Sequence, residues 1–128
     1  MTSQTDPFRV LVVDDEKVIA DSLAMILKTR GYRARAVYNA DEAIGVAEEF
    51  QPNAVISDVV MPGMNGVDLA VYFEHQHPEC KVLLISGNAV AGTLLQESAK
   101  LGHLHQILAK PVHPGQILEF LANCAPVA

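Results

Sequence analysis

The chain has 128 residues, the size of one compact domain, and half of them are apolar, enough to fill one core. Its formal net charge of -6 argues against phosphate backbones and anionic membrane surfaces as partners, because both are bound through clustered Lys and Arg. The apolar runs are short and broken by charge, and residues 1–6 hold neither a basic region nor a signal-length apolar segment. The sequence therefore reads as a cytoplasmic protein with no membrane insertion and no direct nucleic-acid contact.

Phe8 to Val13 is a nearly continuous apolar run of the kind that forms a strand buried on both faces. Ile19, Leu23, Ile26 and Leu27 then share one helical face, and Gly31 supplies the stop. Arg33 to Val37 alternates charged and apolar residues, which predicts a half-exposed edge strand. Asn39 with Glu42 has the spacing of a capping box and opens a second helix. A second buried run, Ala54 to Ile56, precedes a helix expected to start near Asn65 and to bury Leu69 and Phe73.

Val82 to Ile85 repeats the buried-strand pattern, followed by a loop that Gly87 and Gly92 leave permissive. Thr93 with Gln96, a second capping-box spacing, is expected to open the fourth helix. Ile107 to Ala109 gives the last buried run, and Pro114 suits the first turn of a fifth helix carrying Ile117 and Leu121. Strict alternation of strand and helix defines an α/β fold. It is a (βα)5 doubly wound, five-stranded parallel sheet of flavodoxin-like strand order 2-1-3-4-5, with ligand chemistry expected outside the carboxyl ends of strands one and three. The expected domain spans residues 8–125, with a flexible segment at 1–7 and a short tail at 126–128.

Each central strand delivers a chemical group at its carboxyl end: Asp14 and Asp15 after the first, Asp58 after the third, Ser86 after the fourth and Lys110 after the fifth. Grouped carboxylates repel unless a cation offsets their charge, and a hard divalent ion such as Mg²⁺ suits oxygen ligands, whereas zinc would want His or Cys. An Asp carboxylate can also attack a phosphoryl donor directly, provided that charge on the transferring oxygens is stabilised. Lys110 as a point charge and the Ser86 hydroxyl as a hydrogen-bond donor can supply that stabilisation.

Four motifs, each on an expected strand end, carry a resemblance: Val12-Val13-Asp14-Asp15-Glu16, Ser57-Asp58-Val59-Val60-Met61-Pro62-Gly63-Met64-Asn65-Gly66, Ile85-Ser86-Gly87 and Ala109-Lys110-Pro111. Together they resemble the response-regulator receiver domains of two-component systems, and the single-domain chemotaxis regulators in particular, over nearly the whole chain. The resemblance implies that Asp58 is the phosphoacceptor and that Asp15, Asp58 and the Val60 carbonyl bind Mg²⁺, with Asp14 assisting through water. Ser86 and Lys110 then act as switch residues, and a cis peptide before Pro111 aims Lys110 into the site. It further implies a sensor histidine kinase or histidine phosphotransfer protein as donor. A downstream protein would read a change at helix four, strand five and helix five. One departure is Ile107, which stands where the family often carries Tyr or Phe.

Bland alternatives have distinct requirements. Asp58 alone would suit a turn acid before Pro62-Gly63, and Asp14 and Asp15 would suit the cap of the first helix. A haloacid-dehalogenase-like phosphatase would carry a D-x-D pair after the first strand, where Asp14 offers only Glu16 at that spacing. A degenerate receiver would lack one of the acids or Lys110. Neither GxxxxGK nor GxGxxG occurs, so nucleotide binding finds no support. Cys80 and Cys124 have no metal or redox spacing and read as incidental thiols. The five His residues, His75, His77, His103, His105 and His113, form no ligand pattern and read as surface groups. Leu94 with Leu95 suits either core or a partner surface. Val60 and Asn88 lie near the approach to Asp58, where they are positioned to tune hydrolysis.

Overall fold

The β-branched and leucine-rich runs lack the length for helices and are bounded by turn residues, so they pair as strands. In the computed structural model, which describes residues 7–87, 89–102 and 105–124 (the side chains of 89 and 90 excepted), five strands alternate with five helices. These are β1 (Arg9–Val13), α1 (Lys17–Thr29), β2 (Arg33–Val37), α2 (Ala40–Phe50), β3 (Ala54–Asp58), α3 (Gly66–Gln76), β4 (Lys81–Ser86), α4 (Ala89–Lys100), β5 (Gln106–Ala109) and α5 (Pro114–Cys124). All pairings are parallel, in the order β2-β1-β3-β4-β5, as the sequence predicts. Of the end segments expected at 1–7 and 126–128, residues 1–6 and 126–128 lie outside the described residues.

Side chains alternate across the sheet. Val10, Val12, Ala54, Ile56 and Leu83 pack with α1 and α5, whereas Leu11, Val13 and Val55 pack with α2 and α3. A third cluster joins Val59 and Leu84 to α3 and α4 through Val67, Ala70 and Ala91. Leu94 and Leu95 are partly buried and pack against this cluster.

The caps set several boundaries. Gly31, at φ 92°, ends α1 in a Schellman arrangement: its N–H donates to the Lys28 carbonyl and the Tyr32 N–H donates to that of Leu27. Asn39 Oδ1 accepts the Glu42 N–H at 2.8 Å, while Glu42 returns a carboxylate to the Tyr38 N–H, one residue earlier than in a simple capping box. Asn65 caps α3 by accepting the Asp68 N–H, and Leu69 and Phe73 are buried as expected.

Three expectations are corrected. α4 starts at Ala89, so Thr93 and Gly92 lie inside the helix and the Thr93–Gln96 spacing is not its cap. Burial of Ala91 against the third cluster extends the helix one turn earlier. The Ile107–Ala109 run is not buried on both faces: β5 is the second edge of the sheet and Ile107 is 44% exposed. On α1 the buried stripe is Ala20, Ala24 and Leu27, and the small alanines let the helix lie close to the sheet. Ile19 is left on the exposed shoulder.

Candidate functional site

The register builds the site. β1 lies beside β3 with Val13 opposite Ser57, so Asp14, the next residue, leaves the sheet next to Asp58, the last residue of β3. Asp58 stands opposite Ile85, and Ser86 stands opposite Ala109, so Ser86 and Lys110 emerge on the same rim. Asp14, Asp15 and Asp58 bring carboxylate oxygens within 4.8 Å of one another. Asp14 and Asp58 are buried, and Asp15 is exposed.

Lys110 Nζ donates to Asp58 Oδ2 at 3.0 Å. Its backbone N–H donates to the Ser86 carbonyl at 2.9 Å, which fixes the start of the β5–α5 loop against the end of β4. The Lys110–Pro111 peptide is cis, as the resemblance implied. Val60 lies two residues beyond Asp58 and is exposed, while Asn88 falls outside the described residues.

The electrostatics match this crowding. Burial pushes the Asp14 carboxyl above the ordinary carboxylate range, and the charges of Asp58 and Asp15 add to the shift. The Glu16 N–H, donated to Asp14 Oδ1 at 2.9 Å, and the charge of Lys110 oppose it without cancelling it. Burial alone would lower the Lys110 ammonium. The hydrogen bond to Asp58 and the charges of Asp58, Asp14 and Glu16 outweigh burial and raise it. A buried acid held up by two neighbouring acids is a group that a cation would relieve. Three hard oxygen donors therefore fit Mg²⁺, and the ammonium covers one of them from the other side.

The bland readings fare poorly on the geometry. Asp58 is a buried strand-end acid in an ion pair rather than a solvated turn acid. The N-cap of α1 is Glu16, which makes no side-chain capping bond, and Asp14 accepts the Glu16 N–H from outside the helix. Of the histidines, His77 and His105 are half-buried rather than on the surface. His77 packs against Tyr72 and Phe73, and its Nε2 lies 4.0 Å from Glu48. His103 lies outside the described residues. Both thiols are free, and burial pushes that of Cys80 up to about 12.

Sequence reasoning missed three supporting contacts. Ser57 Oγ donates to the Asp58 carbonyl at 2.9 Å. Gly66 lies so close to the Asp58 and Val59 backbone that a Cβ would collide with the Asp58 carbonyl oxygen. At Gly87, a Cβ would come within 2.9 Å of Lys110 Cδ, so this glycine leaves room for the lysine stem rather than freeing the loop. The Gly in each motif was visible, but nothing local said what approaches it.

A doubly wound parallel sheet with paired acids and a lysine at its topological switch point defines a class of small α/β proteins that handle phosphoryl groups and hard cations. Residues 10–122 match the response regulator receiver domain family, and the chain belongs to it. It is 32% identical over 113 residues to the phosphoglycerate transport system transcriptional regulatory protein PgtA of Salmonella typhimurium, covering 88% of this chain and 27% of that protein. It is 33% identical over 116 residues to the transcriptional regulatory protein HptR of Staphylococcus aureus, covering 86% of this chain and 43% of that one. The chain thus spans less than half the length of these relatives. Among solved structures, a CheY-like receiver domain protein from Methanospirillum hungatei superposes with a TM-score of 0.79 at 25% identity, over 92% of this chain and 93% of that one. Receiver domains are signalling modules of two-component systems. No helix among the described residues is long and apolar enough to cross a membrane.

Proposed function

We propose that this chain is a response-regulator receiver of a phosphorelay that accepts a phosphoryl group on Asp58. The observation that carries the reading is the ion pair of Lys110 Nζ with Asp58 Oδ2 at 3.0 Å inside a group of three carboxylates. Asp14, Asp15, Asp58 and the Val60 carbonyl would hold Mg²⁺, which when bound neutralises charge on the transferring oxygens.

The chain's own groups do the rest. An Asp58 oxygen bonds to phosphorus as the bond from phosphorus to the donor's imidazole nitrogen breaks, and the electron pair leaves with that nitrogen. No separate general base is required, because a carboxylate oxygen attacks without giving up a proton. Lys110 transfers its hydrogen bond from Asp58 to a phosphoryl oxygen, and the Ser86 hydroxyl donates to another. Movement of Ser86 toward phosphate biases the β4–α4 connection and so the face formed by α4, β5 and α5, where Ile107 stands in place of an aromatic switch.

The donor is a sensor histidine kinase or a histidine phosphotransfer protein, and the reader is a downstream protein. The net charge of -6 favours a protein over nucleic acid at that face. The receiver unit is residues 8–125, acting in the cytoplasm, and its chemistry is its own phosphorylation and dephosphorylation. Incubation with acetyl phosphate, with and without Mg²⁺, followed by intact-mass measurement beside Asp58→Asn, tests this. The expected result is a labile gain of one phosphoryl group that requires both Mg²⁺ and Asp58. Absence of any gain in folded, Mg²⁺-binding protein would refute it.

A further inference from the structure

Charge is spread unevenly along this acidic chain. Between Asp21 and Asp41 there is no acid, and four of the nine cationic residues, Lys28, Arg30, Arg33 and Arg35, fall close together. The end of α1, the turn after it and β2 gather them in one place, and all four are exposed. Arg9 adds a fifth charge, because it stands opposite Arg33 across the β1–β2 pair. Among the described residues none of these five is in an ion pair. β2 starts at the pole of the sheet away from Asp58, so this strip takes no part in holding a phosphoryl group.

Ordinary duties explain only part of the cluster. Lys28 suits the last turn of α1, and charge on β2 discourages pairing with another sheet at this edge. Neither duty needs four charges of one sign with no carboxylate among them.

We infer that this surface docks an extended acidic segment of a partner protein, with Asp or Glu at alternate positions. Arg33 and Arg35 leave the same face of an edge strand about 6.8 Å apart, which is the repeat of alternate side chains in an extended chain. Guanidinium forks match carboxylates in paired hydrogen bonds. Arg33 is held over the Phe50 ring, 5.9 Å from its centroid, so less of its freedom remains to be lost on binding. Lys28 and Arg30 carry the positive strip past the start of β2.

Other polyanions fit less well. The strip runs about 17 Å along β2, and exposed acids, Asp21, Asp41, Glu42 and Glu49, flank it in the sequence. A duplex, charged about every 1.7 Å along its axis, would run off the strip onto an acidic surface. No aromatic ring is exposed among the described residues, so a single strand finds no stacking platform. An anionic membrane is a plane broader than the strip and meets the same acids.

The test measures binding of the intact chain to a fluorescein-labelled short peptide of alternating Glu and Thr, by anisotropy at low salt. The expected result is saturable binding that weakens about tenfold between about 50 and 300 mM salt. Arg33→Glu with Arg35→Glu weakens it by at least about tenfold, and the milder Arg33→Gln with Arg35→Gln weakens it in the same direction if the first pair does not fold. Lys81→Glu with Lys100→Glu makes the same charge change elsewhere and leaves binding within about twofold. Asp58→Asn also binds unchanged, because the inference does not depend on the phosphoacceptor. A peptide of equal charge with its Glu residues in one block is expected to bind more weakly, and equal binding would overturn the match to alternate carboxylates. Absence of binding, or binding unaffected by either arginine pair, overturns the inference. Tighter binding to duplex DNA, to single-stranded DNA or to phosphatidylglycerol vesicles than to the peptide overturns it in favour of that class.

Discussion

Replacing Gly66 by Ala sets two opposed effects against each other at the point where α3 meets the phosphoacceptor strand. In an exposed helix, Ala is favoured over Gly by about 1 kcal/mol. At Gly66, however, the new Cβ would lie 2.9 Å from Val59 Cα and 3.0 Å from the Asp58 carbonyl carbon, and would collide with the Asp58 oxygen. Ordinary carbon contacts begin near 3.5 Å, so the helix start must retreat by about 0.5–1 Å. Overpacking against backbone costs about 1–3 kcal/mol, and the retreat also weakens the Gly66 N–H bond to the Val59 carbonyl, a loss of about 1 kcal/mol. That bond is 2.7 Å long. The cost wins, and Gly66→Ala is expected to destabilise the fold by about 2 kcal/mol, which lowers Tm by roughly 8 °C for a domain of this size. Gly45, in α2, is the control. It has nothing within 4 Å of the added Cβ, so Gly45→Ala keeps the propensity gain and raises Tm by roughly 4 °C. Thermal and urea unfolding followed by circular dichroism measure both. A Gly66→Ala protein as stable as the unsubstituted one, or two shifts of the same sign, would show that the close approach does not constrain α3.

Asp14→Asn keeps the Oδ1 acceptor for the Glu16 N–H but removes a carboxylate whose ionised form burial and the charges of Asp58 and Asp15 disfavour. Because the folded group is held above its ordinary range, its stabilising contribution is present at low pH and lost as pH rises through the folded value. At pH 7 without Mg²⁺ the Asn variant should therefore melt a few degrees higher, and it should gain less from added Mg²⁺; a lower melting point without the ion would count against this account. Lys110→Met removes the cation 3.0 Å from Asp58. Calorimetry should then show Mg²⁺ binding several-fold tighter, while phosphoryl uptake falls by about 100-fold, and weaker Mg²⁺ binding would contradict the charge argument. Cys80, pushed up to about 12 from an ordinary 9.0, should react with iodoacetamide at pH 8 roughly 1,000-fold more slowly in the folded protein than after denaturation. Peptide mapping with similar rates in the two states would show that its burial is not maintained in solution.

The parts of this molecule legible in its sequence are those set by short-range rules. Asn39, Asn65 and Gly31 each satisfy backbone groups within a few residues, so their caps could be read directly. The strand ends were equally legible, because alternation implies a parallel sheet and the flavodoxin-like order expected for it sets which carboxylates meet. The same capping-box rule failed at Thr93, since the boundary of α4 is decided by Ala91 packing against Val59 and Leu84, contacts that no local spacing encodes. Ile107 to Ala109 looked like a central strand because composition registers apolarity, whereas exposure depends on being last in the sheet order.

The supporting glycines show where the limit lies. Gly87 and Lys110 are far apart in sequence, and their relation exists only because β4 and β5 pair with Ser86 opposite Ala109. That pairing lays the lysine stem across the glycine and brings its ammonium to Asp58. The acids and the lysine are therefore chemically legible one at a time, but their distances are a property of the sheet. A Cβ at residue 87 would come within 2.9 Å of Lys110 Cδ, a contact that the flexible lysine stem can relieve, so the glycine makes room for the stem without setting the place of its charge.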